Sequence, residues 1–246
     1  MKVLNVAVGT ALALLGLSAT LKADTVSFTT TYYVPWYTIE VSINGGASYT
    51  SDGIGHFNAT QLGGTMVGTL KGPSSGQFVA FFIEINDGIG YGIGFGNYTY
   101  YTYDITHLNE GTTAIGGMGV VKAQRLQDLY GSFFPDFSAP IDPLEAAALQ
   151  IATWEIVSES SSNPLNIYAG QTIFRNESVA GMMALAQSHL DYISTVGVHP
   201  QPKYTTLAII HVGTQDLVVQ YVPEPGTLSL LGMGAAGLLL RRRKCK

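Results

Sequence analysis

Asp142-Pro143-Leu144-Glu145-Ala146-Ala147-Ala148-Leu149-Gln150-Ile151-Ala152-Thr153-Trp154-Glu155-Ile156-Val157 is the stretch on which the fold turns. Asp142 can cap a helix, Pro143 suits its first position, and Glu145 stands where a capping box places it. Gln150, Trp154 and Val157 share one face, with Ala147 a turn earlier. A glutamine on the inward face needs hydrogen-bond partners, so Gln150 is expected to tie this helix to a strand, with Trp154 as a core anchor. Val120 to Phe133 and about Val179 to Ile193 carry apolar residues at helical spacing and add two further helices. Before them come β-prone runs at Val26–Thr31, Trp36–Ile43, Thr65–Leu70, Gln77–Ile85 and Asn97–Ile105, with turn signals at Asn44-Gly45-Gly46 and Asn86-Asp87-Gly88. After them come Tyr204–His211 and Leu217–Val222. Strands, then helices, then strands predict an α+β fold: an antiparallel β-sandwich with a helical insertion of about three helices.

The chain has 246 residues, of which 46% are hydrophobic and 12% charged, and 29 are glycine. That is neither a disordered composition nor a polytopic membrane protein, since the long apolar runs lie at the two ends. The net charge of −5 conceals an asymmetry. Only Lys71, Lys122, Arg125, Arg175 and Lys203 of the 12 basic residues fall in the centre, whereas all 17 acidic residues lie between Asp24 and Glu224. A body this acidic repels phosphate backbones, which argues against nucleic acid as a partner. The single cysteine, Cys245, sits in the basic tail. The body is therefore expected to hold no disulfide, thiolate nucleophile or cysteine metal site.

Both ends read as targeting segments. Residues 1–23 combine Lys2, an apolar run from Val3 to Leu17 and small residues toward Ala23, the layout of a secretory signal peptide cleaved before Asp24. The C-terminus reads Val222-Pro223-Glu224-Pro225-Gly226, an apolar stretch from Thr227 to Leu240, then Arg241-Arg242-Arg243-Lys244. As a helix that stretch would be about 21 Å long, short for a hydrocarbon core of about 30 Å, and the arginines would stay on the cytoplasmic side. The ordered trio of Pro223-Glu224-Pro225, a short Gly/Leu-rich transmembrane helix and Arg241, Arg242 and Arg243 resembles the PEP-CTERM sorting signal of Gram-negative bacteria. The resemblance implies export, transient anchoring in the cytoplasmic (inner) membrane, and processing near Pro223–Pro225 by the transpeptidase-like enzyme exosortase. It also implies a destination at the cell surface or outside the cell, in an exopolysaccharide or biofilm context. The domains are thus expected at 1–23, 24–221 and 222–246.

Searching the body for chemistry yields little. His56, His107, His189, His199 and His211 are scattered without metal-ligand spacing, so neither a metal nor a cofactor is expected. Gly88 to Gly96 alternates glycine with large residues but fails the phosphate-loop fingerprint, and reads as a strand whose glycine face is closely packed. Tyr32, Tyr33, Trp36, Tyr37, Tyr98, Tyr100, Tyr101 and Tyr103 could stack on sugar rings or form cross-strand pairs. Glu155 and Glu159, four apart on one helix, read as a solvated face, with a glycosidase-like carboxylate pair as the other reading.

The phrase Leu149-Gln150-Ile151-Ala152-Thr153-Trp154 resembles the glutamine-bearing helix of bacterial surface thioester domains. In that family the glutamine is cross-linked to a cysteine on an early strand, and the bond captures nucleophiles. Here Gln150 and Trp154 match, Thr153 replaces an apolar residue, and Phe82, within Phe81-Phe82-Ile83-Glu84-Ile85, stands at the cysteine position. The resemblance implies the fold and not the reaction, because the body lacks a thiol. The expectation is an exported, non-enzymatic binding or structural protein. The alternative is a secreted glycan-active hydrolase, which an open cleft between two carboxylates would favour.

Overall fold

The computed structural model describes residues 24–64, 66, 69–85, 101–107, 118–135, 137, 140–195, 204–210 and 216–222. Chain order is β1 (Asp24–Ser42), β2 (Thr50–Gly64), β3 (Thr69–Leu70), β4 (Gln77–Phe82), β5 (Tyr101–His107), α1 (Gly119–Phe133), α2 (Pro143–Ser158), β6 (Ile173–Arg175), α3 (Met182–Thr195), β7 (Thr205–Ile210) and β8 (Leu217–Val222). The strands form one sheet, paired antiparallel throughout, in the order β2-β4-β8-β7-β5-β1-β6, with β3 beside β8. Because β1 also pairs with β2, the sheet curls until β1, β2, β4, β8, β7 and β5 close a ring. Closure gives those six strands partners on both sides and removes exposed edges.

The α+β class and the helical insertion hold, and the curled sheet supplies the enclosing surface expected of a sandwich. All three helices and β6 lie between β5 and β7, which nonetheless pair directly, Asp104 opposite Ile210 and His107 opposite Leu207. The two strands expected near residues 26–43 are one strand, bent by register shifts at Ser27/Phe28, Thr30/Tyr32 and Val34/Tyr37. Such bulges increase local twist and let a long hairpin wrap round a core. β2 was not expected, because Asp52, Gly53, Gly55 and Asn58 are poor strand formers. It forms because β1 and β4 flank it and bury Ile54, Phe57 and Ala59. The turn at Asn44-Gly45-Gly46 is present, with both glycines at positive φ and the Gly46 N–H donating to Ser42 Oγ at 2.9 Å.

α2 lies on β1, β2 and β4 and against α1 and α3. Every residue from Ala146 to Ile156 is buried, so the helix is covered on all sides and not on one face. Its run of three alanines lets neighbours approach closely, and its start is capped as expected: Leu144 N–H donates to Asp142 Oδ1 at 2.9 Å. The Glu145 carboxylate lies 3.1 Å from His189 Nε2, linking α2 to α3. Phe28, Phe57, Phe78, Phe81 and Phe82 from the sheet meet Leu126, Leu129, Tyr130 and Trp154 from the helices in one core. Among the described residues no helix is long and apolar enough to cross a membrane.

Candidate functional site

The buried polar groups of α2 form the site that the sequence singles out. Gln150 is fully buried. Its Oε1 accepts the Phe82 N–H at 2.9 Å, and its Nε2 donates to the Phe82 carbonyl at 2.7 Å. The need for this contact follows from the sheet. β2 pairs with β4 only as far as Phe57 opposite Ala80. Ile83 N–H donates to Asp216 O beside β8, so the alternation of the strand turns the Phe82 groups toward the side that β2 has left. An amide has the donor–acceptor pair of a peptide group, and Gln150 completes the ladder where the strand is missing. The structure thus brings together Gln150 and Phe82, two residues 68 positions apart. The Phe82 ring packs on Phe57 at 5.5 Å.

Trp154 is 1% exposed and lies in the core, its Nε1 without a hydrogen-bond partner. Thr153, the departure from the thioester-domain phrase, has a defined role: its hydroxyl donates to Leu149 O at 2.8 Å, leaving the Tyr130 hydroxyl at 2.9 Å to donate to it. Burial pushes the Tyr130 phenol well above its ordinary pKa, against the pull of Thr153.

The C-terminal turn of α2 corrects a sequence reading. Glu155 and Glu159 are both fully buried, not on a solvated face. They point into a loop, residues 160–172, that folds over the helix end. Glu159 Oε1 accepts the Ser160 N–H at 2.9 Å and Asn163 Nδ2 at 2.7 Å. Its Oε2 accepts the N–H groups of Gln171 at 2.7 Å and Thr172 at 3.1 Å. Burial pushes this carboxyl up, but the donors from Thr172, Ser160, Asn163 and Gln171 outweigh it and hold the pKa below the ordinary carboxylate value. Gly170 sits at φ +125° against the same carboxylate, where any Cβ would collide with it. Glu155 is less well served. Its Oε1 accepts the Asn166 N–H at 2.8 Å, while Oε2 has no partner. Burial pushes its pKa up to about 7, the Asn166 N–H pulls the other way, and the charge on Glu159 adds to the rise. From α1, Lys122 Nζ donates to Val157 O at 2.6 Å; burial lowers its pKa against the pull of Glu159.

Chemically, Gln150 is committed at both ends of its amide, and the carboxylate pair accepts hydrogen bonds from loop backbone. His56 is buried and pushed down to a pKa of about 4, so it is neutral at physiological pH. Among the described residues no group of three or more His, Cys, Asp or Glu could hold a metal ion. The glycine run at 88–96, Tyr98 and Tyr100, and His199 and His211 lie outside the described residues, as do the side chains of Tyr32, Tyr33, Trp36, Tyr101, Tyr103 and His107.

β8 ends at Val222, and residues 222–244 match the family model of the PEP-CTERM protein-sorting motif. The chain carries a PEP-CTERM sorting signal. A PEP-CTERM signal marks an exported protein with a C-terminal membrane-anchoring segment that exosortase processes. Within it, Pro223, Glu224, Pro225, Arg241, Arg242 and Arg243, with the expected short transmembrane helix, lie outside the described residues. No curated protein and no solved structure matches the chain.

Proposed function

We propose that the PEP-CTERM signal delivers a non-enzymatic body to the cell surface or extracellular matrix, where it binds polysaccharide without forming a covalent bond. The body is read as a thioester-domain-like fold in which the reactive bond is absent. The observation that carries this reading is the two-bond pairing of the Gln150 amide with the Phe82 main chain in a body without cysteine. A thioester needs a thiol to displace ammonia from the glutamine carboxamide. Here an apolar ring stands at that position, and the carboxamide serves as a hydrogen-bonding group. Exposed aromatic faces such as Tyr168 and Tyr192, 52% and 45% exposed, suit stacking on sugar rings.

The test is Phe82→Cys. With a thiol at position 82, the intact mass of the variant is expected to fall by one ammonia as sulfur and carboxamide join. A full-length mass with the new thiol freely alkylated and Gln150 unchanged would count against the thioester-domain placement.

A further inference from the structure

The sorting signal begins where the sheet ends, with no stalk between them. Val222 is still a ladder residue, opposite Thr69, and Tyr221 is held on both sides, by Leu70 of β3 and Thr205 of β7. Lys71 N–H donates to Gln220 O at 2.8 Å, and Gln220 Nε2 to Thr206 Oγ1 at 2.7 Å, so the last turnable residues of β8 are stitched in place. Only Pro223 to Gly226 separate Val222 from the apolar stretch that starts at Thr227. Five Cα steps reach about 18 Å at most. A 14-residue stretch is shorter than the hydrocarbon core and gives no slack.

Antiparallel pairing then decides which end of the body faces the bilayer. The end of β8, the start of β7 and the start of β1 lie at one end of the ring, together with the β2–β3 and β3–β4 turns. Residues 61–64 and 69–76 in those turns contain no carboxylate and one lysine, Lys71, whose Nζ sits 4.7 Å from the Tyr204 ring centroid. Leu62 is 49% exposed there, and Asp24, the first residue of β1, and Asp104, level with Thr25 on β5, are acidic residues close to this end. The opposite end carries Glu40, ion-paired to Arg175, with Asp52 and the buried Glu84 and Asp216, and beside them lies the end of α2, where Lys122 and Arg125 of α1 approach the buried Glu155 and Glu159.

We propose that, while anchored, the body stands directly on the membrane surface through the end of the curled sheet built from the β3–β4 turn, Leu62, Lys71 and the end of β8, with lipid headgroups as the partner. Exosortase must therefore reach its substrate at the rim between sheet and bilayer. This inference rests on the sorting signal and the strand topology, not on the proposed loss of the thioester, so either can fail alone.

The experiment places one fluorophore on the full chain, in a Cys245→Ser background, at either Ser74→Cys in the β3–β4 turn or Ala47→Cys in the β1–β2 turn at the far end. Both positions are exposed. The proteins are reconstituted in phosphatidylethanolamine/phosphatidylglycerol vesicles that contain a headgroup-spin-labelled lipid. The expected result is co-flotation of both, with several-fold stronger quenching at Ser74→Cys than at Ala47→Cys. Equal or reversed quenching, quenching at neither position, or failure to float with the vesicles would overturn the proposal.

Discussion

The two halves of α2 treat buried polar groups in opposite ways. Near its middle, Gln150 uses both ends of its amide on one residue of β4 and stays neutral. Toward its end, two carboxylates share a buried loop and divide its donors unequally. Glu159 takes four, Glu155 takes one and keeps an unpartnered oxygen. The difference shows in their acidities: Glu159 is held below the ordinary carboxylate value and Glu155 is pushed up to about 7. Position on a helix does not decide the behaviour of a buried polar group; the number of donors that reach it does.

The largest effect is expected from Gln150→Leu. It keeps the volume but removes both hydrogen bonds to the buried Phe82 main chain, at about 3–5 kcal/mol. Urea unfolding should show it as a lower midpoint with an unchanged slope, and a loss below 1 kcal/mol would mean that the amide is not the lock described.

Next comes Glu159→Gln, which removes the charge and turns an NH₂ group toward N–H donors, for about 2–3 kcal/mol. Because its pKa is depressed in the folded state, the stabilisation from Glu159 is present above the unfolded value and lost as pH falls through the folded one. Amide exchange should quicken at Gln171 and Thr172 in the variant, and retained protection there would contradict the loop geometry.

The third effect, confined to pH values above about 4.5, has the opposite sign. The folded pKa of Glu155 lies above its unfolded value of 4.5, so the folded state binds the proton more tightly and stability falls as pH rises from about 4.5 to about 7. Glu155→Gln can keep the Asn166 contact through its carbonyl oxygen and removes the penalty. The variant should match the wild type near pH 4.5 and be about 2–3 kcal/mol more stable above pH 7. Parallel stability curves across that range would refute the raised pKa.

The start of α2 and the Gln150–Phe82 link were legible because capping residues are local and a core glutamine must find partners, whereas the burial of the helix on all sides was not. The terminal strands, β7 and β8, were legible as short apolar runs rich in β-branched residues. Glu155 and Glu159 were misread because i, i+4 acids look alike on a solvated face and under a loop, and only Gly170, placed against Glu159, betrays the close approach. β2 was hidden by Gly53, Gly55 and Asn58, whose poor strand propensity is overridden by neighbours on both sides. Ring closure was out of reach because it depends on the bulges in β1, which shift register without a sequence mark.

The central claim is that Gln150 is an intact structural amide in an inert body. Purified exported body treated with methylamine and measured by intact and peptide mass spectrometry tests it most directly. An intact structural amide predicts an unchanged mass and an unmodified Gln150. A gain of methylamine with loss of ammonia at Gln150 would contradict it, since that exchange requires an activated bond at the carboxamide.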